Sequence, residues 1–203
     1  MSATPAAALP LLYLCRHGQT TWNADGRLQG QEDVPLNTLG RHQARRNGRY
    51  LKNVLGERAK DFRFLSSPMA RASETMRIIR KELGLPPDDF ATDGRLIELN
   101  FGDWQGQTTR EIRAWDAAGL AARDADKWHF RPPGERAESY AMLAARARPV
   151  FEGLTGPTIV TAHGGISRIF LATFAGLAED EAAYIGIPQD RVLVAERGQI
   201  EWR

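Results

Sequence analysis

The sequence predicts an α/β layered fold built on a mainly parallel sheet. Three observations carry that expectation. Short apolar or β-branched runs alternate with longer stretches of helical periodicity, the pattern of βαβ units. The 203 residues fit a single domain, 1–203, and a chain of this size buries about 70 % of its unfolded surface without a disulfide or metal staple. No internal repeat and no Pro/Gly/Ser linker divides it.

The elements follow in order. Residues 1–10 read as a flexible tail, with no basic segment to make them a signal peptide. Leu11-Leu12-Tyr13-Leu14-Cys15 is the first strand. Asn37 or Thr38 caps a helix running to about Leu55. Its apolar stripe includes Leu39, Ala44, Leu51 and Val54. The opposite face carries Arg41, Arg45, Arg49 and Lys52 and reads as solvated surface. Phe62-Arg63-Phe64-Leu65 is a second strand. Met69, Ala72, Met76, Ile79 and Leu83 space a helix, which Gly84 stops and Pro86-Pro87 forbids from continuing. The middle, from Leu99 to Pro133, is irregular, with one helix near Thr108–Ala118. Tyr140, Leu143, Ala147, Val150 and Leu154 mark another, which Pro149 should kink or end early. Thr158–Ala162 is a β-branched third strand. Gly164-Gly165 opens a helix through Ile166, Ile169, Phe170 and Phe174. Arg191–Glu196 and Gln199–Trp202 form a closing hairpin that turns at Arg197-Gly198.

Composition excludes several classes. No stretch approaches the roughly 18 apolar residues of a membrane span. The net charge of +2, without a concentrated basic segment, gives nucleic acid little purchase. The single cysteine, Cys15, lies in an apolar run and reads as buried and inert. It fits a reducing compartment and a cytoplasmic location. Of the 27 basic residues only Lys52, Lys60, Lys81 and Lys127 are lysines, leaving 23 arginines. Arginine captures phosphate and carboxylate in bidentate fashion, but an excess alone does not locate a site.

Position locates one. Arg16-His17-Gly18, Ser66-Ser67-Pro68-Met69-Ala70-Arg71 and His163-Gly164-Gly165 each follow a predicted strand directly. In an open α/β sheet, ligands gather beyond the carboxyl ends of the strands. Two histidines and two arginines therefore meet at one edge, and the glycines allow close backbone approach. His17, His163 and Glu98 are types that could ligate zinc. Arg16 and Arg71 oppose a cation and favour phosphate or carboxylate. The same charges favour a neutral His17 imidazole, whose lone pair can form a covalent intermediate. His42 and His129 read as ordinary surface or core residues.

These residues carry a resemblance. LYLCRHGQTTWNADGRLQGQEDVPLNTLGRHQA, SSPMARASET, LIELNFGDWQG and TAHGGISR resemble, in order, four motifs of the histidine phosphatase superfamily, the phosphoglycerate mutase-like proteins. The resemblance implies a three-layer α/β/α sandwich and a metal-independent reaction with no cofactor. It implies that His17 is phosphorylated, that Arg16, Arg71 and His163 hold the phosphoryl oxygens, with Gly164 beside them, and that Asn23 also contacts the group. Glu98 matches the proton donor to the leaving group, and afterwards the base for water. Gln19 stands where glutamate is frequent. Arg136-Ala137 interrupts a stretch resembling a phosphatase motif, so Glu135 and Glu138 receive no role.

LQGQEDVPL resembles the phosphatase branch, and the 65 positions from Glu98 to His163 are few for the segments with which mutases cover their site. The expectation is a phosphomonoester phosphatase acting on a small phosphorylated metabolite. A cofactor-dependent phosphoglycerate mutase and a relict phosphate-binding protein are the alternatives. Specificity is expected from residues 101–138, with Trp104, Trp115, Trp128 and Arg131 as lining candidates, and from the turn at Asp25–Val34. The sequence leaves a homodimer open.

Overall fold

The computed structural model describes residues 9–203, so all but the end of the expected tail lies outside the described residues. Six strands form one sheet: β1 (Leu12–Arg16), β2 (Arg63–Ser66), β3 (Ala91–Thr92), β4 (Thr158–Ala162), β5 (Val192–Glu196) and β6 (Gln199–Trp202). Their order is β3-β2-β4-β1-β5-β6. The first four are mutually parallel where they pair, and β5 and β6 run antiparallel. The final hairpin turns through two left-handed residues, Arg197 (φ 50°) and Gly198 (φ 82°). That geometry matches the twist of the strands it joins.

Alternation along the strands builds the two outer layers. Leu12 and Leu14 of β1 and Val160 and Ala162 of β4 pack against Leu143, Phe151, Ile169 and Phe170. Those four belong to α6 (Tyr140–Glu152) and α7 (Gly164–Phe174). Tyr13, Cys15 and Ile159 point the other way, onto Leu51, Met76 and Ile79. These come from α2 (Thr38–Leu55) and α3 (Ala70–Glu82). The result is the expected three-layer α/β/α sandwich. Cys15 is a free, fully buried thiol whose pKa burial pushes up to about 12.

The N-cap of α2 is Asn37, whose side chain accepts from Gly40 N–H at 2.8 Å. Three expectations need correction. The helix near Thr108–Ala118 is two, α4 (Thr109–Trp115) and α5 (Ala117–Ala125), broken at Asp116. Asp116 ends the first and caps the second by accepting from Gly119 N–H at 2.9 Å. Pro149 does not end α6 early, because it sits in the last turn, where its missing N–H removes a single bond. The basic face of α2 is not simply solvated: Arg41 and Arg49 reach Glu74 and Glu82 on α3. Strand β3 and the short α8 (Glu179–Tyr184) are additions, too brief for a periodic signal. Trp104, Ile112 and Leu120 make a separate small core under the irregular region. Among the described residues no helix is long and apolar enough to cross a membrane.

Candidate active site

The site follows from strand order. Because β4 lies between β1 and β2, three strands end side by side: Arg16 is level with Ala162, and Ser66 with Thr161. Past those ends the ladder continues by one bond on each side, His17 N–H to Ala162 O and Ser67 N–H to Thr161 O, both 2.9 Å. His17 and His163 thus stand with ring centroids 5.2 Å apart. Gly18 is required by contact: a Cβ there would lie 2.1 Å from Gly40 O, where the loop crosses α2.

His17 Nδ1 lies 2.8 Å from Gly18 O. A carbonyl only accepts, so Nδ1 carries the proton and Nε2 the lone pair. Arg71 Nε donates to that Nε2 at 3.2 Å. The Arg71 guanidinium is fully buried, and its Nη1 and Nη2 donate to Glu32 O and Gly30 O at 2.7 Å each. The turn expected to give specificity at Asp25–Val34 therefore aims this arginine. Burial first, then the charges of Arg71 and Arg16, hold His17 well below the usual histidine range. His163 is lowered the same way, by burial and then by Arg71, His17 and Arg16. Burial brings Arg16 and Arg71 down to about 10, so both are cations at neutral pH.

Arg16 Nη1 donates to Ile187 O at 2.8 Å, and His163 Nε2 meets Ser67 Oγ at 2.8 Å. Among the described residues, Arg16 Nε and His163 Nδ1 are the buried side-chain polar atoms without a hydrogen-bond partner. An unpaired buried polar group is costly, and an oxyanion would satisfy both. Gly164, the first residue of α7, lies beside them: a Cβ there would sit 3.4 Å from Arg16 Nε.

Glu98 reaches the same helix start. Its carboxylate accepts from Gly165 N–H at 3.1 and 3.2 Å and from Leu99 N–H at 2.8 Å. A Cβ on Gly165 would approach Glu98 Oε1 to 2.3 Å. The Glu98 backbone carbonyl is held by two donors, Gln31 Nε2 at 3.0 Å and Arg146 Nη2 at 3.3 Å, and Arg146 in turn pairs with Glu138 at 2.8 Å. Glu138 also accepts from Asn100 N–H at 3.1 Å. Glu138 is thus a brace for the Glu98 loop, while Glu135 offers only its carbonyl to Arg131.

Asn23 reaches the site indirectly. Its Oδ1 accepts from Thr20 N–H at 3.2 Å, closing the capping box of α1 (Thr21–Ala24). It also accepts from Gln189 Nε2 at 3.1 Å, and the same nitrogen reaches His17 O at 3.1 Å. Gln19 Oε1 takes Asn37 Nδ2 at 2.9 Å and has a structural use. His42 and His129 are exposed, with His129 beside Asp126. Among the described residues no group of three or more His, Cys, Asp or Glu is placed to hold a metal ion. Of the expected specificity residues, Trp104 is buried beside a cavity of about 160 Å³ that Leu28, Leu99 and Phe101 also line. Trp115 is 54 % exposed, Trp128 stacks on Tyr140, and Arg131 ties its own loop through Ala137 O.

Sequence reasoning missed Ser67, Thr75, Gln31, Arg146 and Gln189. Ser67 sits inside the quoted Ser66–Arg71 stretch. Thr75 is one turn beyond Arg71 and accepts from Gly18 N–H at 3.2 Å. The other three act from distant elements and leave no local signal.

Fold and site define an α/β protein whose arginines and two neutral, buried histidines form a cradle suited to a small oxyanion. Residues 12–203 match the histidine phosphatase superfamily (branch 1), and the chain belongs to that family. It is 35 % identical over 188 residues to a glucosyl-3-phosphoglycerate phosphatase of Mycolicibacterium vanbaalenii, covering 86 % of this chain and 78 % of that one. It is 31 % identical over 209 residues to a 2,3-bisphosphoglycerate-dependent phosphoglycerate mutase of Bifidobacterium longum, covering 87 % and 82 %. The solved mycobacterial glucosyl-3-phosphoglycerate phosphatase in complex with VO3 is similar with a TM-score of 0.73 and 30 % identity over 96 % of both chains.

Proposed function

We propose that this phosphoric monoester hydrolase cleaves a small phosphorylated metabolite through a phosphohistidine on His17, without a metal cofactor. The carrying observation is the His17 ring: its proton is fixed on Nδ1 by Gly18 O, and its lone pair faces the Arg71 guanidinium. A phosphoryl group entering there takes the Arg71 Nε hydrogen bond onto an oxygen and frees the Nε2 lone pair. Arg16, Arg71 and His163 then bear the charge on the remaining oxygens, the electrostatic part of catalysis.

In the first half-reaction an Nε2–P bond forms and the P–O bond to the leaving group breaks, with Glu98 donating a proton to that oxygen. In the second, Glu98 takes a proton from water as water attacks phosphorus. The P–N bond breaks, its electron pair returns to Nε2, and inorganic phosphate leaves. The pocket is preorganised, since Arg71 and Glu98 are each held by backbone groups. The relative's name, glucosyl-3-phosphoglycerate phosphatase, supports a phosphorylated sugar or glycerate as the substrate class. A single cysteine, with no second one to pair with in the chain, supports a reducing compartment such as the cytoplasm.

The test is release of phosphate from p-nitrophenyl phosphate in EDTA. His17→Ala should remove both turnover and an acid-labile radiolabel on the protein. Turnover that appears only with added metal sinks the reading. Interconversion of 2- and 3-phosphoglycerate faster than phosphate release would make the protein a mutase.

A further inference from the structure

The His163 ring has two nitrogens in different surroundings. It is fully buried, and burial, then the charge of Arg71, keeps it neutral, so it carries a single N–H. Its Nε2 lies 2.8 Å from Ser67 Oγ, and its Nδ1 has no partner. Either the ring donates to the hydroxyl, or the hydroxyl donates to the ring and the proton sits on Nδ1.

The surroundings of Ser67 decide between the two. Ser67 is fully buried and directly follows β2. Its N–H donates to Thr161 O at 2.9 Å. Its carbonyl accepts from Ser66 Oγ at 2.8 Å and from Ser73 Oγ at 3.1 Å. These bonds fix the backbone that carries the hydroxyl. Ser67 Oγ accepts from Met69 N–H at 3.4 Å, and among the described residues its one other hydrogen bond is the one to His163. A proton on His163 Nε2 would make the hydroxyl accept twice and leave its own hydrogen buried without an acceptor. The unpartnered Nδ1 would then offer an incoming oxyanion a lone pair. With the hydroxyl as donor, Ser67 and Nε2 satisfy each other, and an N–H is left for the anion.

We infer that Ser67 is a positioning residue: its hydroxyl holds His163 as the neutral Nδ1–H tautomer and leaves that N–H free to donate to a phosphoryl oxygen. This role deepens the phosphatase reading and rests on it for the identity of the anion. His17 shows the same tautomer put to the opposite use. It turns its Nδ1–H onto Gly18 O and presents the Nε2 lone pair, whereas His163 turns Nε2 onto Ser67 and presents Nδ1–H. With the ring centroids 5.2 Å apart, one imidazole supplies the nucleophile and the other a neutral donor to the same group.

Nitrogen-15 NMR of the whole protein, with labelled histidines and His163 assigned from the His163→Gln spectrum, reads the tautomer directly. At pH 7.5 His163 should show a protonated Nδ1 and a bare Nε2. Inorganic phosphate should shift the His163 Nδ1–H resonance and leave that of His17, which stays on Gly18 O, nearly unmoved. A proton on Nε2 or on both nitrogens overturns the inference. So does an Nδ1–H resonance that ignores phosphate at concentrations that inhibit turnover. Ser67→Ala should bring in the Nε2–H tautomer and weaken phosphate inhibition about tenfold, the worth of the bond that fixes the ring. Ser67→Thr, which keeps the hydroxyl, should restore the wild-type tautomer. A merely structural serine would lower activity without moving the proton, so an unchanged tautomer in Ser67→Ala overturns the inference whatever the loss of turnover. Failure of the wild type to hydrolyse p-nitrophenyl phosphate overturns the phosphatase reading, while the spectra, which need no turnover, decide the role of Ser67 separately.

Discussion

At the residue scale, the site depends on fixed directions more than on charge. Arg71 makes three separate bonds from one planar guanidinium, to His17, Glu32 and Gly30. Lysine keeps the charge but cannot make that fork. Arg71→Lys should lower kcat/KM by about 10- to 100-fold, the loss of one or two charged hydrogen bonds, as steady-state kinetics would show; near-normal kinetics would contradict the geometry. Gly165→Ala places a methyl 2.3 Å from Glu98 Oε1 and must displace that carboxylate. Turnover of an alkyl phosphate, whose leaving oxygen needs a proton, should fall by about 100-fold. Hydrolysis of p-nitrophenyl phosphate, whose leaving group is a good one unprotonated, should fall much less, and equal losses would deny Glu98 its acid role. The two buried histidines also predict a pH effect on stability. Both are held below 6.5 by burial and neighbouring arginines, so the unfolded chain binds more protons than the folded one once pH falls under that value. Their neutral burial is therefore fully tolerated above pH 6.5, and stability declines as pH drops below it. Urea midpoints measured from pH 7.5 to 5 should fall, with a shallower slope in His163→Gln.

At the element scale, the α2–α3 layer shows which contacts matter. Ile79 of α3 is fully buried against β4 and α2 neighbours such as Ile159 and Leu51. Ile79→Ala should cost about 2–5 kcal/mol in denaturant unfolding through lost burial and a cavity. The Arg49–Glu82 bridge links the same helices, but Arg49 is 69 % exposed there, and Arg49→Ala should cost under about 1 kcal/mol. The reverse order would mean that charge and not packing holds α2 and α3 together. Most of these elements were legible because they bury one face: the stripe from Met69 to Leu83 sets α3, and Asn37 marks the start of α2. The irregular segment was less legible. Asp116 both ends α4 and caps α5, and a residue that serves two helices leaves one continuous pattern in the sequence. Pro149 misled for a related reason, since its effect depends on its distance from a helix end that packing fixes.

At the scale of the whole molecule, the decisive fact is the central place of β4. The sequence by itself determined the alternation of strands and helices, the glycines beside each histidine, and the cluster of Arg16, His17, Arg71 and His163 past three strand ends. Local spacing and hydrophobic period carry that information. Only the tertiary structure decided that β4 (Thr158–Ala162) enters between β1 (Leu12–Arg16) and β2 (Arg63–Ser66), far from both in the chain, and so brings His163 to 5.2 Å from His17. It alone decided that the 25–34 turn orients Arg71, that Glu138 and Arg146 brace Glu98, and that Ser67 meets His163. Those contacts join segments far apart in the chain. Their partners are chosen by packing and strand order, which leave no periodic trace in the residues that make them.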